Sequence, residues 1–190
     1  EGLATPAELV QAAKAQGMSA LGLSDHSLLT GAVEFVHACK DAEIQPLLGL
    51  EIDLNTGRLP LLATSPEGWA NLCRLSSAIA LQDDDPETPC SLDLLSIHAK
   101  DLIALGSADG EKAAKQFEIL KDIFGNRLYL SLQDPSIGLP LSSFARSMGV
   151  PMVVTHPIYY LKPEQAALQR TLTAVRLNQP INALSPEDTA

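Results

Sequence analysis

The chain has 190 residues, 46% of them hydrophobic and 19% charged, with a formal net charge of −10. That length fits one domain able to bury most of the surface its unfolded form exposes, and two independent cores are not expected. The composition excludes disordered or low-complexity chains, the longest apolar runs fall far short of the ~20 residues of a membrane span, and so acidic a balance argues against gripping a phosphate backbone unaided.

The elements follow in chain order. Thr5-Pro6-Ala7-Glu8 is a helix start, with Thr5 as cap, Pro6 in the first turn and Glu8 positioned to close a capping box; the helix is predicted to run to Gln16 and stop at Gly17. A short apolar strand from Ser19 to Leu23 leads into Ser24-Asp25-His26. A helix over Thr30–Ala42, strands over Gln45–Glu51 and Leu59–Ala63, and a helix capped by Ser65 come next. Leu81 to Pro89 reads as a polar loop in which Asp83, Asp84 and Asp85 are a solvated run without calcium-loop spacing. Downstream are a strand at Leu102–Leu105, a helix at Glu111–Phe124 closed by Gly125, a strand at Arg127–Leu132, a helix ending near Gly149, a strand at Val150–Thr155 and a helix opened by Pro163.

Strands mostly separated by helices imply a parallel sheet, because parallel neighbours need a crossover. Barrel-like closure is favoured over an open sheet, and the absence of a glycine-rich dinucleotide fingerprint and of a GxxxxGK[ST] loop removes the best sequence support for the common nucleotide-binding α/β folds. In such folds chemistry gathers at the carboxyl ends of the strands, which here carry Asp25, His26, Glu51 and His156. These residues make a candidate His/carboxylate metal site. Phe35, Trp69, Phe117 and Phe124 read as core, His37 as a solvent-facing helical residue and His98 as part of a connector. Cys39, Cys73 and Cys90 are odd in number and lack CxxC spacing, so neither a disulfide framework nor a zinc ribbon is expected, and a reducing cytoplasm is the natural setting.

The segment Ala12 to Glu51, AAKAQGMSALGLSDHSLLTGAVEFVHACKDAEIQPLLGLE, together with LLATSPEGWANLCRL, DLIALGS, DIFGNRLYLSLQ and GVPMVVTHPIYYL, resembles in collinear order the PHP (polymerase and histidinol phosphatase) domain of bacterial DNA polymerase III alpha subunits and their error-prone relatives. The resemblance implies an α/β fold, a distorted, mostly parallel β/α barrel, and a single PHP domain over residues 1–190. With Glu1 rather than Met first, the chain reads as a fragment or processed product, cut before the family's first His-x-His motif. Active members are similar to phosphoesterases in which a metal cluster activates a hydroxide.

Carried over by position, His26 matches the second-motif histidine and Glu51 the metal-bridging glutamate, while Glu1-Gly2 matches an acid-glycine step of the first motif. Glu1, His26 and Glu51 are thus the remnant metal ligands. The other positions depart from the pattern: Arg58 stands at or near a family histidine, Ala108 where a cysteine is expected, and Pro157 and Tyr159 in place of an Asp-x-His pair. Alanine and proline offer no coordinating atom and arginine repels a cation; a one-residue slip in alignment would rescue only His156. A Glu51 without metal needs a new partner, for which Arg58 is the candidate.

The resemblance therefore implies a degenerate, non-catalytic module with no cofactor, a scaffold within a family C polymerase whose nucleotidyltransferase site lies outside this chain. Expected partners are the rest of the alpha subunit and a proofreading exonuclease or other replisome subunits, with DNA bound only in the full polymerase and no membrane. The alternative is an active phosphoesterase or 3′–5′ proofreading exonuclease using zinc or manganese.

Overall fold

The capping box at Thr5 forms as its residues predict: Thr5 N–H donates to Glu8 Oε2 at 2.8 Å and Glu8 N–H to Thr5 Oγ1 at 3.3 Å. The Thr5 amide and hydroxyl together hold the Glu8 carboxyl below its ordinary pKa. From this cap runs α1 (Pro6–Ala15). The computed structural model describes residues 2–81 and 88–184, so Glu1 and the Asp83-Asp84-Asp85 run lie outside the described residues.

The elements that follow are β1 (Ala20–His26), α2 (Ala32–Ala42), β2 (Gln45–Leu54), β3 (Gly57–Ala63), α3 (Pro66–Ala80), α4 (Leu92–His98), β4 (Leu102–Gly106), α5 (Glu111–Phe124), β5 (Leu128–Leu132), α6 (Gly138–Met148), β6 (Met152–Val154) and α7 (Ala166–Arg176). The six strands form one mixed, mostly parallel sheet in sequential order. Helices α5 and α6 supply the crossovers for the parallel pairs β4–β5 and β5–β6. Strand β3 is the exception, antiparallel to both β2 and β4. It follows β2 by a tight turn at Asn55-Thr56, leaving no length for a crossover, and Gly57 at φ 121° takes a conformation that side chains disfavour. Pro60 is tolerated within β3 because the ladder to β4 begins only at Leu61.

Three expectations are corrected. Glu51 does not end β2, which continues to Leu54 because the hairpin with β3 extends the ladder. His98 is the last residue of α4, not part of a connector; Ser91 caps that helix by accepting from Leu94 N–H at 3.2 Å. Strand β1 does not stop at Leu23 but runs on to His26, while the final helix opens at Pro163 as expected, with a short 3₁₀ turn over Pro163–Gln165 before α7.

The chain divides into two compact units interleaved in sequence. One comprises Glu1–Leu21, Val33–Pro46 and His156–Ala190, the other Gly22–Ala32 and Leu47–Thr155. In the first, Val10, Ala13, Phe35, Cys39, Ala42 and Ile44 are buried. In the second, Leu50, Ile52, Leu59, Leu61, Leu72, Leu75, Leu102, Phe117, Phe124 and Leu128 form a continuous core, with Trp69 partly buried against it. Each such side chain contributes roughly 1.5–3 kcal/mol of burial energy. Phe117 meets Phe144 edge-on with ring centroids 5.6 Å apart. Helix α3 is held close to Asp101: a Cβ at Gly68 would sit 2.2 Å from the Asp101 carbonyl oxygen, so only glycine permits this approach. Among the described residues no helix is long and apolar enough to cross a membrane.

Cys90 belongs to the second core, and burial pushes its thiol up to about 11. Above pH 9 the unfolded chain releases that proton while the folded chain keeps it, so the stability Cys90 contributes at lower pH is lost as pH rises toward 11. The unfolding free energy of the native chain is expected to fall between pH 9 and 11 by on the order of 2 kcal/mol more than that of Cys90→Ala, as read from denaturant unfolding at each pH. Parallel pH profiles for the two proteins would contradict this.

Candidate functional site at the β1–β2–β3 strands

The alternation of β2 sends its residues to two faces. Leu50, Ile52 and Leu54 are buried in the core, while Glu51 and Asp53 face the other way, half-buried. Two carboxylates ~7 Å apart along one strand face repel each other unless a cation stands between them. Strand β3 brings that cation. Arg58 is directly opposite Asp53 in the antiparallel register and diagonal to Glu51. Its Nη1 donates to Glu51 Oε2 at 3.1 Å, and its Nε lies 3.7 Å from Asp53 Oδ1.

His26 completes the group from β1. Its Nε2 is 2.6 Å from Asp53 Oδ2. The ring is positioned by the backbone that follows it. Ser27 adopts a left-handed φ of 59°, its N–H donates to the Glu51 carbonyl at 2.8 Å, and its own carbonyl accepts from Ser76 Oγ at 2.8 Å. A non-glycine residue in that region costs about 1 kcal/mol, which these two bonds offset. Asp53 is anchored as well, because its carbonyl accepts from Cys90 N–H at 2.8 Å. The result is a chain His26–Asp53–Arg58–Glu51 across three strands, with side chains between 21% and 44% exposed.

The structure thus brings together His26, Glu51 and Arg58 of the sequence-derived set and adds Asp53. The signal for Asp53 was its two-residue spacing from Glu51. Ala108 lies apart, packed in the apolar core beyond β4. Pro157 and Tyr159 belong to the first unit, where the Tyr159 carbonyl accepts from Leu3 N–H at 2.7 Å, and His156 and Pro157 are exposed. Glu1 lies outside the described residues. Among the described residues no group of three or more His, Cys, Asp or Glu side chains is placed to hold a metal ion.

The PHP domain family model matches residues 1–135. The chain belongs to the PHP domain family. It is 32% identical to the error-prone DNA polymerase of Symbiobacterium thermophilum over 95% of its own length, and 29% identical to the DNA polymerase III subunit alpha of Aquifex aeolicus over 94%. It spans only 20% and 19% of those relatives. Among solved structures it resembles a candidate metal-dependent phosphoesterase from Bifidobacterium adolescentis, with a TM-score of 0.58 and 12% identity, covering 80% of this chain and 82% of that one. At that identity the likeness speaks for the fold.

If Arg58 neutralises both carboxylates of this PHP domain, Arg58→Met destabilises it by about 1–2 kcal/mol, since the partly buried Glu51 loses a charge-assisted bond. This corresponds to a Tm lowered by roughly 3–6 °C. Arg58→Lys, which keeps the charge without the planar fork, is expected to fall between the two. An unchanged Tm for Arg58→Met in thermal unfolding would show that the pairing is energetically idle.

Proposed function

We propose that this PHP domain is a non-catalytic module of a bacterial family C DNA polymerase alpha subunit, replicative or error-prone. It acts as a scaffold and as a docking surface for partners such as a proofreading exonuclease. Polymerase relatives matching along 94–95% of the chain support the placement. In this reading the nucleotidyltransferase site lies outside residues 1–190 and the protein works in the cytoplasm. The net charge of −10 fits a module that leaves DNA to the rest of the polymerase.

The observation that carries the non-catalytic reading is the bond from Arg58 to Glu51 at 3.1 Å. A PHP metal cluster would need Glu51 and its neighbours as free oxygen and nitrogen donors. Here one Glu51 oxygen accepts from a guanidinium, both Asp53 oxygens face Arg58 or His26, and the His26 Nε2 is engaged by Asp53. A guanidinium has five N–H donors, no lone pair to offer and a permanent charge. Ala108 and Pro157 have no coordinating side-chain atom, and Tyr159 replaces an imidazole with a phenol. The residues present do not fit a multi-metal cluster, which needs about three protein ligands for each catalytic zinc and more for a two-metal clamp. The chain's own residues link β1, β2 and β3 instead, through the His26–Asp53 hydrogen bond and the ion pairs of Arg58.

The test is elemental analysis of the full-length protein after exposure to zinc or manganese, with turnover of a generic phosphodiester and His26→Ala as control. The expected results are substoichiometric metal and turnover equal to the blank for both proteins. Stoichiometric occupancy by several metals together with turnover that disappears in His26→Ala would establish a working phosphoesterase or exonuclease.

A further inference from the structure

Helix α7 is built inside out. Its buried positions include two polar residues, Gln169 and Thr173, which satisfy each other by a bond from Nε2 to Oγ1 at 3.1 Å. Its large aliphatic residues point to solvent: Leu168 is 54% exposed, Leu172 49% and Val175 72%. Their spacing, i, i+4 and i+7, puts them on one stripe. Pro180 and Ile181, the latter 47% exposed, continue the apolar surface beside Val175 across a shallow hollow that Thr171 also lines.

A helix that buries its polar residues and exposes its leucines loses the usual hydrophobic gain unless something covers the stripe. Four half-exposed aliphatic side chains fall well short of the ~800 Å² per partner found in stable interfaces between separate molecules. They suffice for a segment of the same polypeptide, which meets the stripe at an effective concentration in the mM range. The chain covers about a fifth of its polymerase relatives, whose remaining length is available to supply that segment.

We infer that the Leu168–Leu172–Val175 stripe of α7 is the seat of an amphipathic helix from the polypeptide beyond this domain, with apolar residues at three- and four-residue spacing. The inference rests on the polymerase-module reading, because it takes the occupant from the same long chain. It makes α7 the seam through which the scaffold holds the rest of the protein.

The experiment uses the full-length polypeptide with a photo-crosslinking amino acid in place of Val175. The expected crosslink joins position 175 to a helix of the same polypeptide outside residues 1–190. In a companion measurement, the α7 amides of the full-length protein exchange with deuterium about tenfold more slowly than those of Leu172→Glu, while Val33→Glu, at an exposed position of α2, exchanges like the native protein. A crosslink to a second copy, to another protein or within residues 1–190 overturns the inference, as does the absence of any crosslink with α7 exchange unchanged by Leu172→Glu. Nucleotide incorporation by the unmodified protein reports on the underlying reading separately. The expected crosslink in a protein that incorporates nothing keeps the seam and removes the polymerase, and incorporation without the crosslink removes the seam alone.

Discussion

The two-residue period of β2 constrains everything around it. One face must deliver Leu50, Ile52 and Leu54 to the core, and that obligation places Glu51 and Asp53 together on the other face. Their mutual repulsion then has to be answered locally. The hairpin answers it by setting Arg58 opposite Asp53, within reach of both carboxylates. A guanidinium and a metal cluster are alternative counter-charges for one acidic strand, and only the latter activates water.

Much of the fold was legible because its signals were local. Thr5 with Glu8, Ser65 with Pro66, and Gly125 and Gly149 mark helix ends by cap chemistry that operates within one turn, and the helices begin or end where those residues stand. What was not legible depended on longer reach or on too little sequence. Helix α4 spans seven residues, too few for periodicity to show, and Ser91 was its main cue. The extension of β2 past Glu51 is completed by pairing with β3, although the alternation of Ile52, Asp53 and Leu54 already carries a local strand signal.

The site divides along the same line. The pairing of Arg58 with Glu51 could be anticipated from the cost of leaving a buried carboxylate alone. Asp53 was not legible as a site residue because it is not one of the positions matched to the family's motif. Yet it links His26 to Arg58 and so turns two separate pairs into one network. Helix α7 depends on packing beyond its own residues: only the burial of Gln169 and Thr173 shows that Leu168, Leu172 and Val175 face out.

Family membership and the proposed loss of metal chemistry thus meet at a single pair of side chains, whose coupling can be measured apart from the effects of either substitution alone. A thermodynamic cycle of Glu51→Ala, Arg58→Ala and the double variant isolates it by denaturant unfolding. The account predicts a favourable coupling of about 1 kcal/mol or more, reduced at high salt and present without any added metal. Coupling indistinguishable from zero, or coupling that arises only when zinc or manganese is supplied, would contradict the claim that arginine has taken the cation's place.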